Sequence, residues 1–299
     1  MGETAAVRGV SFGPDGPEVP VQGFGCMRLE EGDSSEVVLR ALDLGVGFLD
    51  TADLYGNGLN EELVGKALRG RRHEAFLCTK GGALRDESDA LQLRGDAAYL
   101  TGACEASLKR LRTDVIDLYY LHRRDPEVPI EESVGAMAEL VGAGKVRHLG
   151  LSEVTVEELR AAHAVHPITA LQSEWSLSRR GIEELLPACA ELGIAVVPYC
   201  PHGRGLIGPD LDASKAWVAE AAPEYAALPE RIWSLAQRHG VSPHRIALAW
   251  VHQRAEVWNV PVVPIPGTKS VRHLEENVAA LGLTLDADEL ALLEPVPVA

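Results

Sequence analysis

The chain alternates short apolar runs with longer stretches whose apolar residues recur every three or four positions. The short runs read as buried strands over 21–25, 46–50, 75–80, 116–122, 146–152, 168–174, 194–199 and 261–265. The periodic stretches predict helices over 34–45, 60–70, 96–112, 131–143, 155–165, 180–192, 229–239, 242–254, 270–280 and 286–293. Asp33, Thr155, Ser242 followed by Pro243, and Ser270 stand at helix starts, where a side-chain oxygen satisfies an orphan backbone N–H. Thr155 with Glu158 has the spacing of a reciprocal capping box. In GAGKVRHLG and ELGIAVVP a glycine closes one helix before the next strand.

Eight strands that alternate with helices and are apolar nearly throughout predict a parallel sheet whose outer face is covered. A closed (β/α)8 TIM barrel is the simplest such α/β arrangement, and an open doubly wound sheet is the alternative. An N-terminal β-hairpin, VRGVSFGPDGPEVPVQG with PDG as its turn, is expected to plug the barrel floor. With no repeat and no Pro- or Ser-rich linker, residues 1–299 are expected to form one domain. The longest irregular piece is 201–228, and a loop of that length in a compact fold is usually functional or mobile.

The five cysteines are scattered, odd in number and without a CxxC pair, which predicts free thiols in a reducing, cytoplasmic setting. The start of the chain has no signal-peptide core, and no apolar run approaches ~18 residues, so no membrane span is expected. The net charge of −16 argues against nucleic acid or an anionic membrane as partner. It leaves room for a phosphorylated ligand held by a few local cations. Lysine is scarce, six against 22 arginines, so the placement of each one carries information.

In a barrel, reactive side chains gather where strands end at the C-terminal rim. Asp50, Lys80 and His122 stand at such ends, and Tyr55 follows Asp50 in the loop DTADLYGNG. A free phenol ionises near pH 10 and is a poor proton donor at neutrality. The Lys80 ammonium can lower it, Asp50 can hold Lys80 as an ion pair, and His122 can orient a carbonyl oxygen. The set predicts a tyrosine general acid facing a carbonyl, with a hydride donor opposite.

DTADLYGNGLNEELVGKAL, CTKGG, DLYYLHRRDP, GLSEV, QSEWSL and PIPGTKSVRHLEEN together resemble the signature segments of the aldo-keto reductase superfamily. The resemblance runs from about residue 9 to 285, in order and in spacing, and is strongest to the bacterial and plant branch with a short C-terminus. It implies reduction of a small aldehyde or ketone by NADPH, which becomes NADP+, without metal or flavin. It implies Tyr55 as the acid, Lys80 and Asp50 as its tuning pair, and His122 as the carbonyl-orienting residue. It implies nicotinamide contacts from Ser152, Gln172 and Tyr199, and a pyrophosphate loop at Gly203, Arg204 and Gly205. Gly267, Thr268, Lys269, His273, Glu276 and Asn277 match the segment around the adenosine 2′-phosphate and adenine. His273 stands where the family often has arginine, with Arg272 beside it, and CPHGRG replaces the usual SPLGRG. A monomer or weak homo-oligomer is expected, with specificity set by loops 81–95, 123–130 and 201–228. The alternative to an enzyme is a regulatory subunit that binds NADPH with little turnover.

Two other patterns carry little. GRGLIG at 203–208 fits G-x-G-x-x-G, but no helix follows as a dinucleotide fingerprint requires. His163 and His166 are three apart, but proline follows directly and no further ligand is near in sequence, so no metal site is expected.

Overall fold

The computed structural model describes residues 7–13, 16–30, 34–86 and 88–294. A hairpin of β1 (Gly9–Ser11) and β2 (Glu18–Pro20) comes first, paired antiparallel. The barrel strands are β3 (Phe24–Gly25), β4 (Phe48–Asp50), β5 (Phe76–Gly81), β8 (Ile116–Leu121), β9 (Val146–Ser152), β10 (Ile168–Glu174) and β11 (Ala195–Tyr199). They pair parallel in the order β11-β10-β9-β8-β5-β4-β3. Between β5 and β8, β6 (Ala83–Arg85) and β7 (Leu91–Leu93) form a small antiparallel ribbon that the hydrophobic pattern did not predict.

The predicted eighth strand closes the barrel without becoming a regular strand. Val262 bridges Val196 on one side, and Gly267 bridges Gly25 on the other. Pro261, Pro264 and Pro266 have no N–H, so this segment serves the ladder largely through carbonyls, to Val196, Gly23 and Gly25. Only Val263 and Ile265 donate back, at 2.9 and 3.0 Å.

Helices α1 (Ser34–Asp43), α2 (Leu59–Ala67), α3 (Ala97–Leu111), α4 (Ile130–Gly142) and α5 (Val156–Val165) pack side by side around the outside. Then come α6 (Leu186–Leu192), α7 (Leu211–Ala221), α8 (Leu228–His239), α9 (Pro243–Trp258), α10 (Val271–Ala279) and α11 (Ala287–Leu293), and α10 meets α1 to complete the ring. The capping box at Thr155 and Glu158 is present. Ser270 also caps, accepting from His273 N at 3.5 Å. Ser242 occupies the cap position of α9, but its hydroxyl donates to Glu276 Oε2 at 3.0 Å instead. Asp33 and the tip of the hairpin turn lie outside the described residues.

Two helix boundaries differ from the pattern. The span 180–192 breaks into a 3-10 turn, Gly181–Glu184, and α6, because Pro187 can sit only in a helix's first turn. The segment 201–228 is not one long loop. Asp210 accepts from Ala213 N at 2.8 Å and starts α7, whose Val218 is buried against the core.

The core has two layers. The larger lies between barrel and helices, with Leu77, Leu121, Leu149, Leu171 and Trp250 among its buried members. The smaller fills the barrel interior, where Phe12 and Val19 of the hairpin region pack with Phe48, Cys78, Leu118, Ala170 and Val197. Phe12 and Phe48 are tilted at 6.0 Å between ring centroids, and Phe48 stacks on Phe76 at 5.4 Å. Phe48 and Phe76 sit at the N-terminal ends of β4 and β5, so the hairpin closes the floor and leaves the opposite rim open for chemistry.

Candidate active site

Asp50 ends β4, Lys80 lies in β5 one residue before its end, and His122 follows β8 directly. Adjacent parallel strands therefore bring them together. Tyr55 reaches them from a 3-10 turn, Tyr55–Gly58, in which Gly56, Asn57 and Gly58 all take the left-handed conformation. At Gly58 a Cβ would also meet the Arg110 side chain at 2.6 Å, so the turn that presents the phenol needs glycine there.

Lys80 is fully buried and Asp50 nearly so. Lys80 Nζ donates to Asp50 Oδ1 at 2.5 Å, to Thr51 O at 2.8 Å and to Tyr55 Oη at 3.3 Å. Gln172 Nε2 donates to the other Asp50 oxygen at 2.8 Å. The Tyr55 and His122 rings meet edge to face at 5.8 Å, and the ammonium lies 5.0 Å from the phenol centroid. Burial lowers the tendency of Lys80 to carry charge, but the facing Asp50 and Tyr55 outweigh it, and its pKa rises above the usual lysine value. His122 moves the other way. Burial, then Lys80 and Arg123, push it down to about 2, so the ring is neutral, and its Nδ1 is buried without a partner in the protein.

The phenol departs from the expectation of a lowered pKa. Burial raises Tyr55 above 10, and the pull of Lys80 does not reverse that, because Asp50 stands on the same ammonium and opposes it. Tyr55 therefore holds its proton in the resting site.

Ser152 Oγ is buried at the end of β9 and accepts from Arg123 Nη1 at 2.9 Å; the same nitrogen donates to His122 O at 2.7 Å. Arg123 faces Tyr55, His122 and Tyr199 with its charge and was missed in the sequence, although it follows His122 directly. Tyr199 ends β11, with its hydroxyl bonded to Glu153 and the Arg204 guanidinium 5.8 Å from its ring. Gly203 and Gly205 both have positive φ, and a Cβ on Gly205 would strike Trp217 of α7 at 2.6 Å. Arg204 between them forms an ion pair with Glu174, its Nε 2.9 Å from both oxygens.

The last group lines the start of α10. Gly267 lies against β3, where a Cβ would stand 2.9 Å from Gly25 O. Thr268 Oγ1 accepts from Ser270 N at 3.1 Å. Lys269 pairs with Glu30 at 3.2 Å on the surface. Arg272 Nη2 lies 2.9 Å from His273 Nε2, Glu276 accepts from Ser242, and Asn277 is buried. Two histidines outside the predicted set join them: His202 and His244 meet edge to face at 5.0 Å. His163 and His166, by contrast, serve local backbone contacts, to Ile168 N and Pro167 O. Among the described residues no group of three or more His, Cys, Asp or Glu could hold a metal, and no helix is long and apolar enough to cross a membrane.

The site thus contains a buried charged pair beneath a protonated phenol and a neutral imidazole, flanked by polar strand ends and a cation-bearing loop. Comparison with known proteins places this arrangement in context. A model of the aldo/keto reductase family matches residues 23–296. A soybean (Glycine max) protein named probable aldo-keto reductase 1 is 42% identical over 316 residues, covering 98% of this chain and 90% of that protein. The holo form of an aldo-keto reductase from Bacillus halodurans superposes with a TM-score of 0.79 at 30% identity, covering 96% of this chain and 95% of that one. An aldo-keto reductase from Klebsiella pneumoniae, solved in complex with NADPH, gives 0.78 at 30% identity over 96% and 94%.

Proposed function

The chain belongs to the aldo/keto reductase family, and from that premise we propose that it reduces a small aldehyde or ketone with NADPH, using Tyr55 as general acid. The observation that carries this is the buried Lys80–Asp50 pair 3.3 Å beneath the Tyr55 hydroxyl, with His122 at the ring edge.

The chain's own groups suit such a cofactor. Ser152 and Tyr199 at the ends of β9 and β11, with Gln172 within β10, offer polar or stacking surface for the nicotinamide. Gly203, Arg204 and Gly205 would lie along the pyrophosphate, and Gly267, Thr268, Lys269, His273, Glu276 and Asn277 along the phosphorylated adenosine. The unpartnered His202 Nε2 beside that last group supports a polar ligand there. When bound, the reduced nicotinamide supplies the hydride to the carbonyl carbon.

Tyr55 keeps its proton until charge develops on the carbonyl oxygen, because burial disfavours the phenolate. An alkoxide is a much stronger base than a phenolate, so transfer from Tyr55 is then downhill. The Lys80 ammonium stabilises the phenolate left behind, and Asp50 keeps that ammonium charged and in place. Neutral His122 has one ring N–H to donate to the same oxygen, and its neutrality prevents it from competing as the acid. The four buried free thiols, Cys26, Cys78, Cys104 and Cys189, support a reducing compartment such as the cytoplasm.

The test is Tyr55→Phe. Turnover of a carbonyl panel should fall by roughly 10²–10⁴, the usual worth of a positioned general acid. NADPH binding, followed by quenching of intrinsic fluorescence, should stay within about twofold. A variant that keeps more than half its turnover removes Tyr55 from the mechanism. Wild-type protein that binds NADPH but turns over no carbonyl overturns the catalytic assignment.

A further inference from the structure

Three imidazoles from three separate elements meet at the adenosine end of the site. His202 comes from the loop after β11, His244 from the first turn of α9 and His273 from the first turn of α10. The His202 and His244 rings are 5.0 Å apart, at 83°. His202 Nε2 is buried and has no hydrogen-bond partner in the protein, while His244 and His273 are exposed. Arg272 Nη2 lies 2.9 Å from His273 Nε2. A guanidinium can only donate, so in this contact the ring nitrogen is the acceptor.

The charges around the cluster are lopsided for a protein of net charge −16. His202 faces His244, Arg28 and His273, with no carboxylate among them. His244 faces His273 and a single carboxylate, Glu276, which already accepts from Ser242. Nearby, Lys269 is paired with Glu30. Burial first, and these neighbours after it, hold His202 down to about 3 and lower His244 as well, so these two rings are uncharged at neutral pH. The fold has therefore built a neutral ring pair, His202 and His244, with an unsatisfied buried nitrogen, among arginines, where an anion would reverse the balance.

We propose that His202, His244 and His273 form part of the bed for the cofactor's 2′-phosphate, and that the cluster takes up one proton from solvent as the phosphate arrives. The inference rests on the cofactor reading above and adds two residues, His202 and His244, together with a proton linkage. Each negative charge about 4 Å from an imidazole favours the charged ring by roughly 3 pKa units at an effective dielectric near 20, and a phosphate dianion by more. That is enough to bring a ring from the bottom of its range to the neutral region. A bed of arginine and lysine alone has the opposite sign. It would lower the phosphate's own second ionisation, near pH 6, and release protons on binding.

The sign is measurable by titration calorimetry of the whole protein with NADP+ and with NAD+, in buffers of different ionisation enthalpy at pH 7. NADP+ should bind with uptake approaching one proton in excess of NAD+, and its affinity should rise towards tenfold per unit as the pH falls from 8 to 6. His202→Asn, which keeps a polar group but cannot charge, should remove at least half of that excess while NAD+ binding stays within about twofold; His244→Gln provides the second variant. Zero excess uptake, proton release, or equal uptake with NAD+ overturns the proposal and leaves the cofactor reading intact. Failure of both nucleotides to bind overturns both.

Discussion

Asp50→Asn isolates the electrostatic core of the site. In the wild type a fully buried ammonium stands 2.5 Å from a nearly buried carboxylate. At an effective dielectric near 20 that separation corresponds to a gross attraction of about 7 kcal/mol. Asparagine preserves the shape and removes the charge. The loss is capped, because Lys80 can shed its proton instead of remaining buried and unpaired. From an unfolded value near 10.4, that costs about 4.6 kcal/mol at pH 7 and about 1.9 kcal/mol at pH 9. The variant should therefore be destabilised by about 3–5 kcal/mol at pH 7, in line with breaking a buried pair, and its midpoint should fall by roughly 6–10 °C. The sign of the pH dependence is fixed. In the wild type the folded pKa of Lys80 is raised, so its contribution is whole from pH 7 to 9 and lost only as pH rises past the unfolded value towards the folded one. In the variant, burial acts without Asp50 and depresses the folded value. The unfolded chain then binds the extra proton, and stability rises with pH across the same window. Urea unfolding of both proteins at pH 7 and pH 9, followed by circular dichroism, gives the two differences. A loss under about 1 kcal/mol at pH 7, or one that does not shrink by pH 9, refutes the idea that Asp50 is what keeps Lys80 charged.

Phe12→Ala should cost about 3–5 kcal/mol in denaturant unfolding, because the ring is buried against Phe48 on the barrel floor; NADPH affinity should not change, since the rim is at the other end, and a tenfold loss of affinity would contradict that separation. His122, His202 and His252 are held down to about 2, 3 and 4 by burial. Histidine-labelled NMR of the unliganded protein should show all three rings uncharged down to pH 5, and a ring titrating above pH 6 would contradict the burial argument. Their folded values are depressed, so the stability they contribute is present above about pH 6.5 and lost as pH falls. The loss should approach about 2 kcal/mol per ring by pH 5.

The clustering of Asp50, Lys80 and His122 was legible in the sequence because a barrel's rim is a one-dimensional code. Each strand end can be read from its own apolar run, so Asp50, Lys80 and His122 could be aligned without any knowledge of pairing. The eighth strand was legible as an apolar segment but not as an irregular one, since its three prolines remove donors rather than hydrophobicity. Helix α7 was missed because its start depends on Asp210 capping a stretch that the glycines and prolines before it marked as loop. Partners distant in sequence were invisible. Glu61 is wholly buried and carries a hydrogen bond from Thr79 and an ion pair from Arg110, 18 and 49 residues away. Arg204 was singled out as a cation for pyrophosphate, but nothing local showed that Glu174 would hold it.

These long-range partners change what the site is before any ligand arrives. The three cations expected from the sequence each face a carboxylate: Lys80 with Asp50, Arg204 with Glu174 and Lys269 with Glu30. For Lys80 the pairing is buried and permanent, and it suits a group that must stay charged through a proton transfer. For Arg204 and Lys269 the cation is exposed and the ion pair screened, so exchanging the carboxylate for a phosphate costs little. An acidic protein that carried unpaired cations at these positions would hold them in solvent-exposed repulsion from one another and from Arg28 and Arg272. Pairing them with glutamates, and leaving His202 and His244 neutral, keeps the cleft near electrical balance. If a phosphate displaces a carboxylate or draws a proton there, as proposed above, positive charge develops on binding, and cofactor affinity is expected to depend on salt and on pH more than the bare count of basic residues implies.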